Sequence, residues 1–209
     1  MRTSIISSIF LIIVLSVTGQ ALADSIIAPN LPHYLNNGIP FASNSGETRY
    51  QQVYDSSIFT SPIYIESLAF SPSISDIYTA NIKIRLGYTS NEPGALSADL
   101  NSNVLGSLTS VFHDPHFSQS ITGGSETFSL VFDFSSSPFL YNLTLGNLLL
   151  DIRINMQVSD AFFSRFPAGS GLSSRAYDSE YYGNGTSDVG LRTLVGFTPV
   201  GCELSRKAS

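Results

Sequence analysis

Ile82-Lys83-Ile84-Arg85-Leu86 alternates apolar and charged residues at a period of two. Successive side chains of an extended chain leave opposite faces, so Ile82, Ile84 and Leu86 share one face while Asn81, Lys83 and Arg85 share the other. The segment reads as a strand buried on one side. Phe128-Ser129-Leu130-Val131-Phe132-Asp133-Phe134 repeats the pattern, and so does Leu148-Leu149-Leu150-Asp151-Ile152-Arg153-Ile154, with Leu148, Leu150, Ile152 and Ile154 on one face. Burial stabilises each inward row by about 1.5–3 kcal/mol per large apolar side chain. Weaker strands are expected at 49–54, 63–70, 104–112, 174–177 and 191–197, which makes eight. The expected core is Ile82, Ile84, Leu86, Phe128, Leu130, Phe132, Phe134, Leu150, Ile152 and Ile154, because a one-residue slip would turn a whole apolar row to solvent.

Turn-forming clusters separate the strands: Ser71-Pro72-Ser73, Ser90-Asn91-Glu92-Pro93-Gly94, Thr122-Gly123-Gly124-Ser125, Ser135-Ser136-Ser137-Pro138 and Gly183-Asn184-Gly185. No amphipathic helix pattern exceeds about two turns, although residues 95–101 suit a short helical turn. Strands without intervening helices predict an all-β chain, an antiparallel two-sheet β-sandwich of the jelly-roll kind. With 209 residues, 43% hydrophobic and 12% charged, the chain can bury one core, and residues 24–200 read as a single domain followed by a disordered tail, 201–209.

Residues 1–23 read as a cleaved secretory signal peptide. Arg2 supplies the positive start, residues 9–17 are almost unbroken apolar sequence, and Ala21-Leu22-Ala23 is a small-x-small cleavage site before Asp24. Ser16, Thr18, Gly19 and Gln20 interrupt the apolar stretch before the ~20 residues needed to span a bilayer. The single cysteine, Cys202, is far from the position where a lipid anchor would attach, and one cysteine cannot make an internal disulfide. The expectation is a secreted or cell-surface protein with no transmembrane segment in its mature chain. Net charge is -6, with 10 Lys and Arg against 16 Asp and Glu, which argues against gripping nucleic acid.

Motifs for chemistry are sparse. His113-Asp114-Pro115-His116 has the donor types of a metal site, but Pro115 points to a polar turn. Asp99-Leu100-Asn101-Ser102-Asn103 opens like a calcium loop, yet Val104 and Ser110 stand where such a loop needs Gly and Glu. No cofactor is assigned, and calcium bound through scattered loop oxygens stays open. Gly169-Ser170-Gly171 has the wrong spacing for a hydrolase nucleophile turn, so no catalytic residue is named and the chain reads as non-enzymatic. Asn142-Leu143-Thr144 and Asn184-Gly185-Thr186 fit the glycosylation acceptor pattern, which matters only in a host that uses it. The candidate ligand surface is the segment around 178–188, expected to be an exposed loop. Tyr177, Asp178, Glu180, Tyr181, Tyr182, Asn184 and Asp188 there combine rings with carboxylates and amides, as a sugar-binding face requires.

An ordered set of segments carries a resemblance. Arg49-Tyr50-Gln51-Gln52-Val53-Tyr54, Pro62 through Phe70, Ile82 through Leu86, Tyr141-Asn142 with Gly146-Asn147-Leu148-Leu149-Leu150-Asp151-Ile152, and Ser174-Arg175-Ala176-Tyr177 resemble secreted bacterial proteins of the PEP-CTERM type over residues 48–200. The resemblance implies export in exopolysaccharide-producing Gram-negative bacteria and sorting at the envelope, and it transfers no catalytic residues. Where such proteins continue into Pro-Glu-Pro, a membrane helix and a basic cluster, this sequence reads Gly201-Cys202-Glu203-Leu204-Ser205-Arg206-Lys207. That leaves release without an anchor or a shifted reading frame. The expected function is therefore a non-enzymatic cell-surface or extracellular-matrix protein contacting exopolysaccharide or envelope components. The alternatives are a lectin-like carbohydrate-binding module and, third, a secreted hydrolase.

Overall fold

The computed structural model describes residues 24–42, 46–159, 161–180 and 182–201; the expected signal peptide, Tyr181 and Cys202 lie outside them. The described residues form β1 (Asp24–Ala28), β2 (Tyr34–Asn37), β3 (Thr48–Tyr54), β4 (Ile63–Phe70), β5 (Asp76–Thr89), β6 (Leu105–Ile121) and β7 (Leu130–Asp133). The chain continues with β8 (Phe139–Tyr141), β9 (Asn147–Val158), β10 (Phe163–Arg165), β11 (Ser173–Ser179), β12 (Gly183–Ser187) and β13 (Thr193–Pro199). One sheet has the order β12-β11-β3-β9-β5-β6; a second has β1-β13-β4-β7, with β8 pairing on β4 beyond β7. β2 and β10 form a small two-stranded sheet. Every pairing is antiparallel.

The two large sheets pack face to face. The Tyr54 hydroxyl of β3 lies 2.7 Å from Thr193 Oγ1 of β13. Phe117 of β6 meets Phe132 of β7 with ring centroids 5.0 Å apart, and Tyr88 of β5 stacks on Tyr141 of β8 at 5.7 Å. Aromatic pairs at these separations add packing beyond the area they bury. The alternation in the sequence correctly gives this core: Ile82, Ile84, Leu86, Leu130, Phe132, Phe134, Leu150, Ile152 and Ile154 are all buried. Phe128 is the exception. Backbone turns at Gly124–Thr127 and Thr127–Ser129 delay β7 until Leu130, leaving Phe128 half-buried beneath the Arg192 guanidinium at 5.3 Å.

Three other expectations change. His113 to His116 are not a turn: β6 runs through them as the edge strand of the six-stranded sheet. Its register shifts between the pairs Phe117–Ala80 and Asp114–Ile82, so Pro115 sits in a bulge, where an edge strand tolerates a residue without a backbone donor. Gly183-Asn184-Gly185 is likewise no simple turn but most of β12, paired with β11. Residues 95–101 form turns closed by Ala95 N–H to Glu92 O and Ser102 N–H to Asp99 O instead of a helix. Leu96 and Leu100 of that loop pack with Val53, Leu149 and Ala176 on the outer face of the six-stranded sheet. The loop therefore covers one end of that face and leaves the other open.

Gly146, between β8 and β9, is a position where only glycine fits. Its φ of 135° disfavours any residue with a side chain, and an added Cβ would lie 2.9 Å from the Thr89 carbonyl oxygen. The same glycine's carbonyl accepts a hydrogen bond from the Tyr141 hydroxyl at 3.0 Å.

Candidate functional site

The hairpin β11–β12 divides the residues nominated from sequence. Tyr177 pairs with Tyr50 and packs against the core, half-buried, with the Arg175 guanidinium 5.4 Å from its ring. Asp178, one residue on, leaves the opposite face, directly across from Asn184 of β12, and both are exposed. Glu180 lies in the turn, and its carboxylate accepts from the Glu47 backbone N–H at 3.3 Å. Tyr182 is 38% exposed with its hydroxyl beside Gly38, and Asp188 lines a separate hollow with Pro93, Gly94, Gly169 and Gly171. Tyr181 lies outside the described residues. The period of two that makes β11 a strand thus sends Tyr177 and Asp178 to opposite faces, and the aromatic sugar platform expected there is not assembled among the described residues.

A different arrangement takes shape on the outer face of the six-stranded sheet. Register aligns Asn184, Asp178, Arg49, Arg153, Lys83 and His113 in one rung across all six strands. The rung lies along a groove of about 390 Å³, whose lining also includes Glu47, Asn81 and Asn155. Asn81 and Asn155 pair with each other on the side away from the covering loop. Asn155 Oδ1 is buried there with no hydrogen-bond partner among the described residues.

The neighbouring rung, Gln51–Asp151–Arg85, fixes part of this charge. Asp151 has no exposed surface and holds two guanidinium groups, Arg49 through Nη2 at 2.8 Å and Arg85 through Nη2 at 2.5 Å. Gln51 donates to the same carboxylate at 2.8 Å, and Arg49 Nη1 donates to Asn101 Oδ1 of the covering loop at 2.7 Å. A buried carboxylate is tolerated because each oxygen is met by charged or amide donors. Lys83, Arg153 and His113 form no ion pair among the described residues. Arg153 stands directly opposite Arg49 on one side and Lys83 on the other, a like-charge alignment that disfavours the sheet.

Residues 99–103 serve the fold. Asp99 accepts from Asn101 N–H at 3.1 Å and from the Ser102 hydroxyl at 2.6 Å, and these bonds, the Ser102 hydroxyl first, hold its carboxyl below the usual range. Asn103 donates to Gln51 Oε1 and accepts from Ser97 N–H. These groups tie the covering loop to the sheet. Among the described residues no group of three or more His, Cys, Asp and Glu is placed to hold a metal ion, and no helix is long and apolar enough to cross a membrane.

Comparison with family models, with curated proteins and with solved structures finds no match for the chain.

Proposed function

We propose that this is a non-enzymatic extracellular β-sandwich protein that contacts polysaccharide at a bacterial cell surface or in its matrix, through the outer face of the six-stranded sheet. The observation that carries the reading is the groove along the Arg49–Arg153–Lys83 rung. Its amides, guanidinium groups and ammonium are the donors that sugar hydroxyls and acids require. The winding supports it too. Taking β1, β3, β4, β5, β6, β7, β9 and β13 in chain order, the sheet orders β1-β13-β4-β7 and β3-β9-β5-β6 support the jelly-roll reading, a winding that lectin domains use. That likeness is an argument from fold and not from chemistry. Export rests on the signal-peptide reading of residues 1–23, and the surface setting on the PEP-CTERM resemblance.

Binding of the purified protein to a panel of bacterial and plant polysaccharides tests the reading. Asn81→Tyr, which places a bulky ring on the groove, should weaken retention at least tenfold, while Val131→Tyr on the other sheet should leave it unchanged. Retention by neither the parent nor the variants, or equal retention by all three, would remove the proposal. Release of new reducing ends during incubation would favour the hydrolase reading instead.

A further inference from the structure

We infer that the groove selects an acidic polysaccharide, a carboxylate-bearing chain lying across the strands along the rung Arg49–Arg153–Lys83–His113. The inference rests on the polysaccharide reading above and narrows its ligand class. Three cations stand on directly paired positions of adjacent strands, and His113 extends the row at the edge strand. Neighbouring strands are about 4.8 Å apart, so the charges recur at a spacing comparable to one sugar residue. A polymer bearing one acid per residue can meet Arg153 and Lys83 in succession and reach His113 beyond them.

The chemistry of the lining narrows the choice. No Phe or Tyr lines the groove among the described residues, and His113 at its edge is the single ring there, so it offers no large aromatic platform for a neutral pyranose to stack on. The same absence of stacking platforms disfavours a single-stranded nucleic acid. Arg49 already gives Nε and Nη2 to Asp151 and Nη1 to Asn101, so it bounds the row, while Arg153 and Lys83 have no carboxylate of their own among the described residues and are the cations left for a ligand. A guanidinium beside an ammonium suits a carboxylate, which can accept two parallel bonds from the first and a point charge from the second. Asn81 and Asn155 border the cationic rung and present amides to the hydroxyls of a bound chain. Asp178 and Glu47 close the end nearest β11, where they repel an acidic chain. The bound chain therefore extends from the cations toward the β6 edge.

Double-stranded DNA carries a charge about every 1.7 Å along its axis, far denser than cations recurring at about the 4.8 Å strand spacing, so the row does not match a nucleic-acid backbone. The groove has no apolar rim to enter a lipid layer either: Ile154, its one aliphatic member, is buried.

Polygalacturonate and its carboxyl-reduced form, which share a backbone and differ in charge, test the inference on the full protein. Parent protein should bind the acid form and lose at least tenfold in affinity for the reduced form. Affinity for the acid form should fall steeply between 50 and 300 mM salt, roughly in proportion to the number of charges paired, because screening strengthens with ionic strength. Lys83→Gln with Arg153→Gln should lose at least tenfold for the acid form and flatten the salt dependence, with an unchanged or raised melting temperature showing that the fold survives. Equal affinity for the two polymers would overturn the inference while leaving the polysaccharide reading intact. Binding to no polysaccharide on the wider panel would remove both. Equal or tighter binding of single-stranded DNA, or of vesicles rich in anionic lipid, would overturn the assignment of ligand class.

Discussion

The two large sheets are alike on their inner faces and unlike on their outer ones. Inside, both present large apolar and aromatic rows: Ile82, Ile84, Leu150 and Ile152 from the six-stranded sheet meet Ile65, Leu68, Leu130 and Phe132 from the other. Outside, β1, β4, β7, β8 and β13 carry no Lys, Arg or His, whereas the six-stranded sheet carries Arg49, Lys83, Arg85, Arg153 and Arg175 together with His113 and His116. Of these, Arg175 faces inward, and Arg49, Lys83, Arg85 and Arg153 share the outer face. Burial dictates the inner rows, since apolar surface removed from water drives folding. Asp151 accounts for Arg49 and Arg85, but no ion pair among the described residues accounts for Lys83 and Arg153, which oppose one another on paired positions. The inner faces thus record what the fold needs, while the unpaired cations on the outer face of one sheet are what the proposed binding reading accounts for.

The largest effects should come from the faces that are alike. Phe132→Ala should destabilise the protein by about 3–5 kcal/mol and Ile84→Ala by about 2–5 kcal/mol in denaturant titrations. A negligible loss at either site would break the equivalence of the inner faces. On the outer side, Asp151→Ala leaves Arg49 and Arg85 without their shared carboxylate and should cost about 3 kcal/mol. That is the lower end for a buried pair, because both guanidinium groups keep some solvent. Leu140→Ser, on the outer side of the other sheet and 46% exposed, should stay within about 0.5 kcal/mol.

Alkaline pH probes the interior between the sheets. Burial pushes the Tyr50 hydroxyl up to about 12, and it also raises Tyr54, Tyr78 and Tyr141. The unfolded chain releases these protons near pH 10, before the folded chain does, so the folded state binds more protons and stability falls as pH rises from there. Tyr50 alone should account for roughly 2–3 kcal/mol of loss by pH 12, full stability being retained below pH 10. Tyrosinate absorbance and circular dichroism followed together check this, since the buried rings should ionise only as the β signal disappears. One small effect should be a gain. Lys83→Gln or Arg153→Gln relieves like charges on paired positions and should stabilise by about 0.2–1 kcal/mol. A loss instead would mean that the two cations have structural partners, and the outer faces would differ less than their charges suggest.

The inner faces were legible in the sequence because a half-buried strand writes its burial at period two, as at Ile82–Leu86 and Leu148–Ile154. Where turn chemistry overrode that period, the reading slipped: Phe128 continues the alternation but precedes the start of β7. Short strands such as β8 and β12 carry too few residues to show a period, and Gly183-Asn184-Gly185 has the composition of a turn while pairing as a strand. The nominated Tyr177 and Asp178 are adjacent in sequence, which on a strand guarantees that they point apart. The groove had the opposite problem. Arg49, Lys83 and Arg153 each stand alone among ordinary outward polar positions, and only the pairing of β3, β9 and β5 brings them together. Their shared sign on three outward positions was the available signal, but strand order and register were needed to use it.

The central claim is that the outer face of the six-stranded sheet, and not that of its partner, is the binding face. Backbone amide shifts of isotopically labelled protein, followed during titration with oligogalacturonate, test it most directly. The account predicts that shifts concentrate at Arg49, Lys83, His113, Arg153 and Asn155, while Tyr64, Val131, Asp133 and Leu140 on the other sheet stay still. Shifts centred on β4, β7 and β8, or saturable binding that leaves the Arg49–Arg153–Lys83 rung unmoved, would contradict it.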